Sequence, residues 1–177
     1  THIPGFDYIQ FADPNGWDLR FADSNNTAEL NYEVETWDPN GISYVWVQVP
    51  SLASSNDYIW AYWGDATRAV QPAYTTNGAT WSNRYVVVAH LDESSGSVLD
   101  STANRNDGVA SGGVSLGAAG RISGGEQFDG INGHVDFGTV ARPTDTFTFS
   151  GWVKTPANQE NDAESTTGAV DVRAFLH

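Results

Sequence analysis

Apolar and polar residues alternate with a period of two along most of this chain, so its predicted elements are strands. The clearest run is 30–37, where Leu30, Tyr32, Val34 and Thr36 share one face and Asn31, Glu33, Glu35 and Trp37 share the other. Asp38, Pro39, Asn40 and Gly41 then form a strong turn signal, and 42–49 reads as the returning strand of an antiparallel hairpin. Val45, Val47 and Val49 are expected in the core, and Tyr44, Trp46 and Gln48 on the far face, with Trp46 beside Glu33, Glu35 and Trp37. A third strand is predicted over 57–64, with Tyr58, Trp60 and Tyr62 on one face, and shorter ones at 8–11 and 19–22. The only helical suggestion is one turn at 66–70, and 71–83, rich in Thr, Asn and Gly, reads as a crossover. Beyond it come a strand at 85–91, a long polar loop, weak strands within 109–123, a hairpin over 127–137 turning on Asn132 and Gly133, and a last strand at 147–153. Residues 155–167 read as a polar, acidic loop, after which 169–176 recovers some apolar character. The pattern is that of an all-β protein, an antiparallel β-sandwich with long loops.

Composition narrows the functional classes. Twenty-two acids face 8 bases, giving a formal charge of −14 spread over both halves of the chain, which repels nucleic acid and anionic membrane surfaces alike. Cysteine is absent, so there is no disulfide framework, thiolate zinc site or thiol nucleophile. Methionine is absent and the first residue is Thr1, which leads us to expect a mature form or an excised piece of a longer protein. No apolar run approaches a membrane span, so membrane insertion is not expected. Seven Trp and seven Tyr are a rich supply of rings for stacking on the apolar faces of sugars, although a small β-protein also uses such rings to fill its core.

Two groups of polar residues suggest chemistry. In the loop from Asp100 to Gly108, the oxygens of Asp100, Asn104, Asn106 and Asp107 suit a hard cation, so a structural calcium ion is one expectation, with Asp129 as a secondary ligand. The spacing differs from an EF-hand, and the alternative is an Asx-rich loop that satisfies its own backbone. Glu33 and Glu35, two apart on a strand, point the same way about 6–7 Å apart, against the roughly 5–5.5 Å of the carboxylate pair in retaining glycosidases. They are the candidate catalytic pair, weighed against a merely solvated strand face.

At 90–93 (HLDE), Gly96, 100–102 (DST), 106–108 (NDG), 125–130 (GEQFDG) and 147–154 (FTFSGWVK), the chain resembles the first half of a LamG-like, concanavalin A-type jelly roll, over about 85–154. Upstream, 16–22 (GWDLRFA), 32–38 (YEVETWD), 44–50 (YVWVQVP) and 58–64 (YIWAYWG) resemble the secreted bacterial domain of unknown function that commonly precedes such domains, over about 7–65. The double resemblance implies an antiparallel sandwich of jelly-roll, concanavalin A-like type, divided into an N-terminal β region at 1–83 and a partial LamG-like jelly-roll region at 84–177, either separate or merged into one sandwich. It further implies a non-catalytic carbohydrate-binding or adhesion module of a larger secreted protein, extracellular or on a cell surface, with a polysaccharide or glycan as partner. Trp37, Tyr44, Trp46 and Trp152 are the rings expected to meet the glycan. A glycoside hydrolase using Glu33 and Glu35 is the alternative, a structural spacer the third possibility, and both monomer and homodimer stay open. The jelly-roll glycosidases place three acids on one strand as Glu-x-Asp-x-Glu, and here Trp37 stands in place of the third.

Overall fold

A computed structural model describes residues 5–140 and 146–154. Its strands are short, every pairing between them is antiparallel, and the only helical elements among the described residues are four single 3-10 turns. Two compact units are formed: Thr1–Val88 with Asp100–Arg105, and Ala89–Leu99 with Asn106–His177.

In the first unit, β1 (Arg20–Ala22) lies between β2 (Glu29–Leu30) and β5 (Trp60–Tyr62), while β3 (Tyr32–Thr36) and β4 (Tyr44–Val47) form the predicted hairpin. The core gathers Leu19, Ala22, Leu30 and Tyr32. Tyr32 is 1 % exposed; its ring stands edge-on to Phe21 and Tyr74, and its hydroxyl donates to the Leu19 carbonyl at 2.7 Å. Strands this short leave much loop backbone to be satisfied by other means, because a buried N–H or C=O without a partner is costly. Two buried charged residues supply those partners. The Asp18 carboxylate accepts the N–H groups of Ala12, Asp13 and Gly64 at 3.0, 3.1 and 2.6 Å. The Arg20 guanidinium donates to the carbonyls of Trp17, Leu19, Arg68 and Val70 and lies 3.5 Å from Glu29.

The second unit holds β6 (Val109–Ser111), β7 (Val114–Ala119), β8 (Gly124–Phe128) and β9 (His134–Asp136). β7 pairs with β8, and β6 pairs with β9 outside that hairpin, so the four strands are nested. Val98, fully buried, exchanges both backbone hydrogen bonds with Gly108. Both side-chain oxygens of Glu126 are buried and lack a hydrogen-bond partner among the described residues. Burial, and then the neighbouring Glu93 carboxylate, push its carboxyl above the ordinary range. Its ionisation therefore opposes folding: the associated stability is present at low pH and is lost as pH rises through the elevated folded value. Glu126→Gln is accordingly expected to stabilise the protein at neutral pH, by on the order of 1 kcal/mol, and to leave it unchanged in acid. Denaturation midpoints of both proteins at pH 4 and pH 7 check this; a lower midpoint at pH 7 would refute it.

Several predicted strands take other forms. Residues 8–11 contain a 3-10 turn, Tyr8–Gln10, closed by a capping box in which Asp7 accepts the Ile9 N–H and Gln10 accepts the Asp7 N–H, each at 3.1 Å. The predicted strand at 85–91 is not one: the Val88 N–H goes to the Asp100 carboxylate, the Val88 carbonyl accepts from Ser101, and Leu91 has a left-handed φ of 61°. The 127–137 hairpin is replaced because one Asp129 oxygen accepts the N–H groups of Ile131, Asn132 and Gly133, rounding a wide loop that sends β8 and β9 to different partners. Those N–H groups, Ile131 and Gly133 foremost, hold the Asp129 carboxyl below its usual range. At 147–153 alternation alone makes no strand: the described residues there pair with nothing, and Phe147, Phe149 and Trp152 are exposed. The expectations for 155–177 lie outside the described residues. The fold is all-β with several antiparallel sheets, and no sheet among the described residues closes on itself.

Candidate functional site

Position along β3 decides which side chains share a surface. Tyr32 faces Val47, Glu33 faces Trp46 and Val34 faces Val45, but Thr36 then faces Tyr44, so Glu35 is an extra residue on its strand. Such a bulge keeps two consecutive residues on one side and reverses the alternation beyond it. Glu33 and Glu35 stay with Trp46, whose indole N–H donates to Glu35. Trp37 turns to the other side instead: its N–H donates to the Pro14 carbonyl at 2.9 Å, and its ring packs edge-on against Tyr8 and Phe11. Gly16 adopts a φ of 71° beneath that ring, where a Cβ would run into the indole. Trp37 is thereby part of an aromatic cluster with Phe6, Tyr8, Phe11 and Trp63.

Trp46 meets residues from distant parts of the chain. The 3-10 turns Ala73–Thr75 and Ala79–Trp81 pack along β3 and deliver Trp81, whose ring centroid is 5.6 Å from that of Trp46 at a tilt of 58°. The Trp81 indole N–H donates to Glu33, and Ser101 donates to the other oxygen of the same carboxylate at 2.7 Å. Tyr85, 50 % exposed, stands edge-on to Trp81 at 5.3 Å and continues the aromatic surface. At its margin Gln48 accepts from Asn31 at 3.1 Å and donates to Ser82 at 2.9 Å. The result is a contiguous aromatic face on half-buried Trp46 and Trp81, rimmed by two carboxylates, amides and hydroxyls.

Ser101 reaches Glu33 because the Asp100–Arg105 segment is built into the first unit. The buried Asp100 carboxylate accepts the N–H groups of Val88 and Thr102 at 3.0 and 2.9 Å and the Thr102 hydroxyl at 2.8 Å. Arg105 donates to the Thr76 carbonyl, and Gly78, with φ at 84°, lies so close to the Thr102–Ala103 backbone that a Cβ would strike it.

Of the residues named from sequence, Glu33, Glu35 and Trp46 come together; Tyr44 lies further along β4 opposite Thr36. Trp152 belongs to the second unit, 73 % exposed, with Arg121 5.7 Å above its ring. Trp81, Tyr85 and Ser101 were not singled out; a lone Trp in a Thr- and Asn-rich loop was the available signal. Around the loop proposed for calcium, Asp100 is committed as described, and the Asn104 amide donates to the carbonyls of Tyr85 and Val86. Among the described residues no group of three or more His, Cys, Asp or Glu is placed to hold a metal ion. Since the central carboxylate already has its partners, a chelator is expected to leave the melting curve unmoved; a fall in melting temperature that added calcium reverses would establish a bound ion.

No helix among the described residues is long and apolar enough to cross a membrane. No curated protein and no solved structure matches the chain. The family described as a domain of unknown function, DUF2341, matches residues 15–106, just over half of the 177 residues. The match runs well beyond the upstream resemblance seen in the sequence and takes in the Asp100–Arg105 segment that completes the first unit. By that match, the chain belongs to the DUF2341 family.

Proposed function

We propose that this chain is a non-catalytic carbohydrate-binding or adhesion module of a larger secreted or surface protein, and that it binds glycan on the Trp46, Trp81 and Tyr85 surface. The observation that carries this reading is the join of a contiguous aromatic face to a rim of hydrogen-bonding groups, Glu33, Glu35, Gln48, Ser82 and Ser101. A sugar presents the matching combination, an apolar ring face bordered by hydroxyls. In this proposal the second unit is the beginning of a LamG-like jelly roll, supported by its nested antiparallel strands and by the motifs at 90–93, Gly96, 106–108 and 125–130 that fall within it.

The glycosidase alternative draws on the two carboxylates flanking Trp46. Against it, Glu33 and Glu35 each accept an indole N–H, the arrangement of groups that orient rings. A glycan array run with a reducing-sugar assay on the same panel separates the readings. Binding without release of reducing ends is the expected result. Release that disappears in both Glu33→Gln and Glu35→Gln would identify an enzyme, and no binding to any glycan would leave the spacer.

A further inference from the structure

We propose that the Trp46, Trp81 and Tyr85 surface accepts uncharged glycans and turns away chains bearing uronate or sulfate groups, with Glu33 and Glu35 as its specificity-determining residues. The inference rests on the glycan-binding reading above and adds the class of glycan.

A sugar stacked on an indole sends its substituents out over the ring edge. At the pyrrole edge of Trp46 that space borders the Glu35 carboxylate, and at the same edge of Trp81 it borders Glu33. The N–H is the single polar donor of an indole, and in both rings it is already given to a carboxylate, so neither ring has a donor left for an anionic substituent. The second oxygen of Glu33 is likewise engaged, by Ser101, which holds that carboxylate in place beside the ring. Glu33 also faces Trp46 directly across the β3–β4 pair, so both acids border the same stacking surface. Two like charges about 5 Å apart in water repel enough to lower affinity roughly fourfold, and two such carboxylates give about tenfold or more. The chain's formal charge of −14 adds repulsion of the same sign at longer range.

The test uses the whole chain and two sets of hexasaccharides. Cellohexaose, laminarihexaose and mannohexaose are the uncharged set; hexagalacturonate and a heparin hexasaccharide are the anionic set. Isothermal titration at about 20 mM and about 150 mM salt should show binding of an uncharged hexamer that does not depend on salt. Any anionic binding should be at least about tenfold weaker, with the gap narrowing at the higher salt. Glu33→Gln and Glu35→Gln should each lower the ratio of uncharged to anionic affinity severalfold by gaining anionic binding, a gain that misfolding cannot produce. Equal or preferential binding of an anionic hexamer by the native chain overturns this inference and leaves the glycan reading standing, and so does an unchanged ratio in both variants. Binding of none of the five overturns both.

Discussion

Alanine in place of Trp46 or Trp81 is expected to weaken glycan binding about thirtyfold, the effect of losing roughly 2 kcal/mol at a central aromatic contact. The two ring centroids lie 5.6 Å apart and the rings together form the centre of the surface, so removing either also leaves the other without its neighbour. Each change in addition deprives a glutamate of the indole N–H it accepts. Trp81→Phe keeps a smaller stacking face and removes the N–H; its affinity should fall between those of the native chain and Trp81→Ala. Trp37→Ala serves as the contrast. That ring belongs to the cluster with Phe6, Tyr8, Phe11 and Trp63, so its loss should lower the melting temperature without selectively lowering affinity in the protein that remains folded. Native-like affinity in both Trp46→Ala and Trp81→Ala would remove this surface from consideration.

Asp18→Asn is expected to destabilise the first unit by roughly 2–4 kcal/mol, because hydrogen bonds to a charged acceptor are worth more than neutral ones and buried donors left unmatched carry the full desolvation cost. Asp18 is 1 % exposed and gathers three backbone N–H groups, from Ala12, Asp13 and Gly64. An amide has one accepting oxygen where the carboxylate has two, and its NH2 would point at a donor. The same geometry predicts a pH dependence. Burial raises the Asp18 carboxyl, but the N–H groups of Ala12, Gly64 and Asp13 together outweigh it and hold the carboxyl below its ordinary range. A depressed folded value means that the stabilisation is complete above the unfolded carboxyl value of about 3.9 and is lost as pH falls through the lower folded value. Denaturant midpoints between pH 2 and pH 7 should therefore fall on the acid side in the native chain, with a shallower fall in Asp18→Asn. Equal midpoints for the two proteins at neutral pH would show that the carboxylate does not hold the 12–13 segment and Gly64 together.

The β3–β4 hairpin was legible because two local signals agree there, period-two alternation on both arms and a turn whose Asp38 carboxylate accepts the Asn40 N–H at 2.9 Å. Glu33, Glu35 and Trp46 were placed on one face for the same reason. Where only one signal was present, the outcome differed. Residues 85–91 have the composition of a strand, but a strand also needs a partner, and here the polar loop claimed the Val88 backbone first. Asn132 and Gly133 have the residues of a primed turn, yet the Asp129 carboxylate, three residues upstream, organised the loop.

By itself the sequence determined the all-β class, the antiparallel hairpin and the pairing of two glutamates with Trp46, since each depends on side-chain alternation and turn chemistry within about twenty residues. Only the tertiary structure decided that Trp37 leaves that face, because one extra residue on the strand at Glu35 reverses every position after it and no local signal announces it. Only the tertiary structure, too, brought Trp81 and Ser101 onto the two oxygens of Glu33, 48 and 68 residues away in sequence. Contacts of that span arise from packing, here the seating of Asp100 and Gly78 in the first unit, and packing depends on which distant groups satisfy one another's buried hydrogen bonds.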